Sequence, residues 1–202
     1  MALQLPEIDL KGISTVFGNA PLDHTTRNAA RCLVAFGSPD QAQRTPVYAG
    51  AAKPLIRLVR HDDEIHGEDG LGGVEGLPAS DDPAVVAKLD ETRGEPAVLA
   101  MAAAARALPD GEQLALVATG AMTNVALFVS MFPDLVRDKV AQVVIMGGAE
   151  GRGNRSPTAE FNIMIDPHAA SILFDAEVPV IMAVRPLSSF SLARAQPQAH
   201  ES

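Results

Sequence analysis

The chain has 202 residues, 47% of them apolar and 20% charged, enough for one sizeable domain with its own core. A net charge of −9, with no basic cluster to neutralise phosphates, excludes nucleic acid as a partner. The single cysteine, Cys32, excludes an internal disulfide, and no apolar run is long enough to span a bilayer, so a cytoplasmic protein without a membrane partner is expected.

Residues 1–10 lack the basic start and long apolar stretch of a secretory leader. Residues 8–17 are rich in β-branched side chains and predict a strand ending at Gly18-Asn19. Residues 22–36 carry apolar side chains at helical spacing, and Gly37-Ser38-Pro39 stops that helix. A short strand is predicted over 46–49. Residues 61–78, full of glycine and acidic side chains, predict a long loop. Asp82-Pro83 announces a helix over 84–89, because Asp caps free amides and Pro fits the first turn. An Ala-rich helix over 96–108 is closed by the turn Pro109-Asp110-Gly111. A strand over 114–118 follows, then a helix over 122–131 ended by Pro133, then a strand over 140–146 ending at Gly147-Gly148. Asp166 caps a helix over 168–174, and a last strand covers 178–184. Residues 188–202 are polar and aperiodic, so the domain is placed at 1–187 with a disordered tail over 188–202.

Alternating strands and helices imply an α/β fold with a mostly parallel sheet covered by helices on both faces. Such sheets bind ligands at the carboxyl ends of their strands. The segments placed there are Gly18-Asn19, residues 119–124 and residues 147–162, where the polar, glycine-containing sequence collects. Gly147-Gly148 is not followed by the G-x-G-x-x-G fingerprint, which argues against a dinucleotide site.

Seven strings, in this order, carry a resemblance: EIDLKGISTVFGN (7–19), TRNA (26–29), VYAGAAKPL (47–55), HGEDGLGG (66–73), TGAMTNVA (119–126), VIMGG (144–148) and AEFNIMIDP (159–167). Together they resemble the inosine–uridine-preferring nucleoside hydrolases, over nearly the whole chain to about Leu187. The resemblance implies a Rossmann-like nucleoside hydrolase fold and cleavage of the N-glycosidic bond of ribonucleosides to base and ribose. It also implies a Ca²⁺ ion that binds the ribose diol and the catalytic water, a ribonucleoside as partner, and a homo-oligomer. Ca²⁺ suits such a task because it accepts many oxygen ligands in flexible geometry.

Carried over residue by residue, the resemblance gives Thr123 a backbone carbonyl for the metal. Asn19, Asn154, Glu160 and Asn162 become partners of the ribose hydroxyls, Met146 and Phe161 line the sugar, and His66 sits near the base. A neutral polyol needs groups that both donate and accept, as amides and carboxylates do. On pattern alone these positions read otherwise. Asn19 is a turn residue, Thr123 a first-turn helix residue, Glu160 and Asn162 a solvated loop, Met146 and Phe161 core, and His66 an exposed loop residue. Cys32, in an apolar helical pattern, reads as buried rather than nucleophilic.

The family's aspartate-rich string, Asp-x-Asp-x-Gly-x-Asp-Asp, has no match here, nor does its late His-Asp pair. The chain is therefore expected to correspond to the middle of the family, incomplete at both ends, with no catalytic residue of its own. A non-catalytic nucleoside-binding module or partner of a longer homologue is the alternative. The acidic run Asp62, Asp63, Glu64, Glu68 and Asp69 lacks EF-hand spacing and is expected to be a solvated flap rather than a substitute metal site.

Overall fold

The structure, a computed structural model, describes residues 2–61, 63–151 and 153–185. The expected tail over 188–202 and Asp62 of the acidic run lie outside the described residues.

After a short 3-10 turn at Ala2–Gln4, the first strand, β1, spans only Ile13–Thr15. It pairs in parallel with β2 (Val47–Ala49), Ile13 opposite Val47 and Thr15 opposite Ala49. The expected strand over 8–17 is therefore too long: a three-residue partner leaves residues 8–12 nothing to pair with. Between the two strands lies α1 (Leu22–Phe36), with the expected bounds. It buries Ala30 and Leu33 and ends where the amide of Gly37 donates to the Leu33 carbonyl at 2.9 Å.

Ser38 and Pro39 do more than stop this helix. They start α2 (Pro39–Arg44): the Ser38 hydroxyl accepts from the Gln41 amide and the Gln41 side chain accepts from the Ser38 amide, a reciprocal capping box with proline in the first turn. The same double use recurs at Pro133, which opens α7 (Pro133–Lys139) directly behind α6 (Thr123–Met131). Both short helices were missed because proline was read only as a terminator. The expected loop over 61–78 also holds one helical turn, α3 (Asp63–His66). The remaining helices are α4 (Pro83–Asp90), capped as expected by Asp82, and α5 (Ala97–Arg106).

The second sheet has the order β3-β4-β5, all parallel: β3 (Leu114–Ala118), β4 (Val140–Ala149) and β5 (Val180–Arg185). Leu116 lies opposite Val143, and Val143 opposite Val180. Its core is built by α5, α6 and α9 (Pro167–Phe174) around Phe128, Met122, Val143, Ile145 and Leu173, each at most 2% exposed. The alanines Ala102 and Ala105 are fully buried and leave room for the larger side chains of α6. Burying a side chain such as Phe128 contributes about 1.5–3 kcal/mol relative to leaving it in water.

The fold class is the α/β parallel class expected, with two corrections. The strands form two sheets rather than one ladder, and the three-stranded sheet is not covered on both faces among the described residues. Val117 is 67% exposed, and Ile181, Met182 and Val184 are between 40% and 48% exposed. A buried side chain on α6, Asn124, ties the carboxyl ends of β1 and β2 to the helix that follows β3. Its Nδ2 donates to the Thr15 carbonyl and its Oδ1 accepts from the Ala51 amide, both at 2.8 Å. Gly50 makes this approach possible, since a Cβ there would lie 2.3 Å from both Asn124 and the Thr15 carbonyl.

Candidate functional site

The polar residues collect where β1, β3 and β4 end. The last helix of the site, α8 (Phe161–Ile165), is one the sequence did not announce; residues 147–162 had been expected as loop. Glu160 makes it possible. It is only 6% exposed, and its carboxylate accepts from three backbone amides: Asn162 to Oε1 at 3.0 Å, Ile163 to Oε2 at 3.2 Å and Gly148 to Oε2 at 3.0 Å. One side chain thus caps α8 and ties it to the end of β4. Gly148 has φ +81°, the left-handed region that glycine adopts without strain, and this turn aims its amide at Glu160.

Asn162, 4% exposed, donates from Nδ2 to the Met146 carbonyl at 2.8 Å and to the Thr119 carbonyl at 3.4 Å, so α8 is held to the ends of both β3 and β4. The Oδ1 of Asn154 accepts from the Phe161 amide at 2.9 Å. Phe161 packs with Phe17, Ala121 and Ile165 in a small second core, and Phe17 stands two residues before Asn19. Asn19 is half-buried, and its side chain has no hydrogen-bond partner among the described residues. Met146 is 47% exposed, at the rim rather than in the core.

Asp166 was assigned to capping, and it does cap α9, accepting from the Ala169 amide at 3.1 Å. It is also fully buried, and its other oxygen accepts from the Thr123 hydroxyl at 2.6 Å and the Leu55 amide at 3.0 Å. It therefore fastens the start of α6 and the segment after β2 to α9. Thr123 is 1% exposed, and this bond fixes the first residue of α6.

Among the eight predicted positions, Met146, Asn154, Glu160, Phe161 and Asn162 fall into one connected cluster, Thr123 adjoins it through its bond to Asp166 at the end of α8, and Asn19 follows Phe17 of the same small core by two residues. The solvated-loop alternative for Glu160 and Asn162 is overturned by their burial. His66 lies apart, as the last residue of α3, half-buried. Two residues with contacts here were not singled out from sequence. Asn124 had the signal of a buried amide on an apolar helix, but its partners come from distant segments. Arg155 stacks its guanidinium 5.7 Å from the Phe161 ring centroid. Cys32 is half-buried, and burial pushes its thiol up, against the opposing Arg31 charge, which fits an unreactive helix residue. A pocket of about 230 Å³ beside β2, lined by Thr26, Val47, Ala49, Leu89 and Thr92, shares no residue with the cluster.

The loop after α3 is ordered by Asp69, whose Oδ1 accepts from the Leu71 amide at 2.9 Å and the Gly73 amide at 3.2 Å. These bonds hold its carboxyl below the usual carboxylate range. A lowered folded value means that the loop's order is fully present above the ordinary range and lost as pH falls through the lowered one. Amide exchange at Leu71 and Gly73, corrected for intrinsic rates, is expected to quicken on acidification only below that range. Asp69→Asn keeps the accepting oxygen and is expected to abolish the acid dependence; an unchanged acid response in that variant would assign it elsewhere.

The resemblance implies a calcium ion, and the described residues supply only part of what one would need. The Asp166 carboxylate is already used by three donors, and among the described residues no group of three His, Cys, Asp or Glu side chains is placed to hold a metal. These residues by themselves do not make a Ca²⁺ site, which needs six to eight oxygens. Among the described residues no helix is long and apolar enough to cross a membrane.

Parallel strands, with amides and a carboxylate gathered at their carboxyl ends, define an α/β protein whose polar residues collect where such folds bind ligands. A family model described as inosine-uridine preferring nucleoside hydrolase matches residues 1–200, and the chain belongs to that family. The pyrimidine-specific ribonucleoside hydrolase RihA of Citrobacter koseri is 44% identical over 183 residues, covering 91% of this chain and 54% of that protein. A solved purine-preferring ribonucleoside hydrolase from Gardnerella vaginalis superposes with a TM-score of 0.75 at 32% identity, over 90% of this chain and 54% of that one. An inosine-guanosine nucleoside hydrolase gives a TM-score of 0.75 at 25% identity, over 91% and 54%. The chain thus spans about half the length of the relatives it matches.

Proposed function

We propose that this chain forms the ribosyl-binding part of a ribonucleoside N-ribohydrolase that cleaves inosine- or uridine-type substrates to base and ribose. The observation that carries this reading is the hydrogen-bonding capacity left over in the cluster. Asn154 uses its carbonyl oxygen on Phe161 and keeps two N–H donors. Asn162 uses its N–H groups on Met146 and Thr119 and keeps its carbonyl oxygen. Asn19 keeps both. Three amides have engaged Glu160, and a carboxylate with about four lone-pair sites can accept one bond more. Donors and acceptors are thus left in the mixture that sugar hydroxyls require, beside the Phe161 ring and the exposed Met146.

Breaking the N-glycosidic bond sends its electron pair to the base and leaves positive charge on the ribosyl group, which water then captures. The Glu160 carboxylate, sheltered from solvent and held by backbone amides, favours that charge without needing to reorganise. In this reading Asn19, Asn154 and Asn162 orient the hydroxyls, Met146 and Phe161 exclude water from the sugar, and the resemblance assigns His66 to the base. Thr123 would offer its carbonyl to a calcium ion, but the donors among the described residues do not by themselves complete such a site.

A second reading is a non-catalytic nucleoside-binding module that associates with further copies or a longer homologue. It is favoured by the apolar side chains that the β3-β4-β5 sheet leaves exposed, Val117 and Ile181 on one face and Met182 and Val184 on the other. Purified protein would be incubated with uridine and with inosine, with added Ca²⁺ and after chelation, and assayed for ribose, with nucleoside-dependent shifts of the melting temperature in parallel. Ribose release that chelation abolishes is the expected result for the first reading. Binding without release supports the second. Neither, in a sample that unfolds cooperatively, overturns both.

A further inference from the structure

Residue 61 and the segment over 64–73 are held on one side by α1 and the turn before it. His61 Nδ1 lies 3.3 Å from the Gly18 carbonyl, His24 Nδ1 lies 3.1 Å from the Glu68 carbonyl, and Asn28 Nδ2 donates to the Asp69 carbonyl at 2.7 Å. From the other side Arg155 reaches across to α3. Its Nη1 donates to Glu64 Oε2 at 3.4 Å, while its guanidinium lies over the Phe161 ring. The Arg155 side chain is only 20% exposed, against 87% for Glu64. An exposed ion pair by itself contributes little, but a guanidinium seated on an aromatic face is partly desolvated and directed by it.

The backbone that presents Arg155 is fixed. The amides of Asn154 and Arg155 both donate to the Ala159 carbonyl, at 3.1 and 3.2 Å. Gly153 makes this turn possible, since a Cβ there would lie 2.1 Å from the same oxygen. The residue between Asn154 and the Phe161 ring thus carries a rigidly placed cation toward the helical turn that ends in His66.

We propose that Arg155 is a positioning residue: through Glu64 it tethers α3, the helical turn that ends in His66, to the Phe161 side of the cluster. Only the identity of the ligand that benefits rests on the nucleosidase reading; the contact itself does not. The Gly72 amide, which donates to the His66 carbonyl at 2.6 Å, reports how well the end of α3 is held.

In Arg155→Ala, exchange at the Gly72 amide is expected to quicken about 3- to 10-fold, with exchange in β4 unchanged. Arg155→Lys keeps the charge but not the planar stacking, and is expected to restore the protection only in part. Raised salt should quicken exchange at Gly72 in the native chain and leave the Arg155→Ala chain unaffected. Gly72 exchange that is unchanged in Arg155→Ala, or that changes only together with β4, overturns the proposal. Titration of the same two proteins with uridine and with inosine tests the other reading separately. A native chain that binds neither uridine nor inosine sinks the ribosyl-binding reading, while the exchange result still decides the role of Arg155.

Discussion

Asp166→Ala is expected to destabilise the fold by about 3–5 kcal/mol, among the largest effects of any single substitution here. The substitution leaves three donors without their acceptor: the buried Thr123 hydroxyl and Ala169 amide, and the half-buried Leu55 amide. Each orphaned buried donor costs about 1–3 kcal/mol, and the site is closed to water because Asp166 is fully buried. For a chain of this size the melting temperature should fall by roughly 6–20 °C. Asp166→Asn offers a graded control. An amide oxygen can still serve Thr123 and Leu55, but its N–H₂ group then confronts the Ala169 amide, so a smaller loss is expected. A drop of only a degree or two in Asp166→Ala would mean that other acceptors take over and that Asp166 does not hold these segments together. Thermal unfolding followed by circular dichroism is sufficient to decide.

Glu160→Gln is nearly isosteric, yet it is expected to cost about 2–3 kcal/mol of stability and to weaken uridine binding by roughly 10- to 100-fold. The reason is the division of labour between the two oxygens. Oε1 serves the Asn162 amide, and Oε2 serves Gly148 and Ile163. An amide can place its single oxygen at only one of these positions, and its N–H₂ group must then face backbone donors at the other. Loosening Gly148 frees the end of β4, and loosening Asn162 frees the start of α8, so the cluster loses its arrangement together with its charge. Calorimetric titration with uridine, beside a melting curve for each protein, separates the two effects. Full affinity in a destabilised variant would show that Glu160 only caps α8 and has no part in holding the sugar.

Much of the fold was legible because local signals agreed with it. The bounds of α1 follow from apolar spacing ended by Gly37, and Asp82 caps α4 as its position before a proline implies. Where one residue has two uses, pattern reading failed. Pro39 and Pro133 each close one helix and open the next, because proline's missing amide is harmless in a first turn. β1 was overextended because strand length is set by the partner, and β2 supplies only three residues.

The sequence by itself determined the family, through its ordered strings, together with the parallel α/β class and the candidate residues from Asn19 to Asn162. It also determined that Asp166 would cap a helix, since capping is a relation between neighbours in the chain. The tertiary structure decided what those side chains have to spare. Asp166 meets Thr123 across 43 positions and Leu55 across 111, and Asn124 meets Thr15 across 109. Such contacts depend on how strands and helices pack, and no local spacing encodes them. Whether an amide or carboxylate can still bind a ligand depends on which partners it already has, and the packing of distant segments supplies those partners.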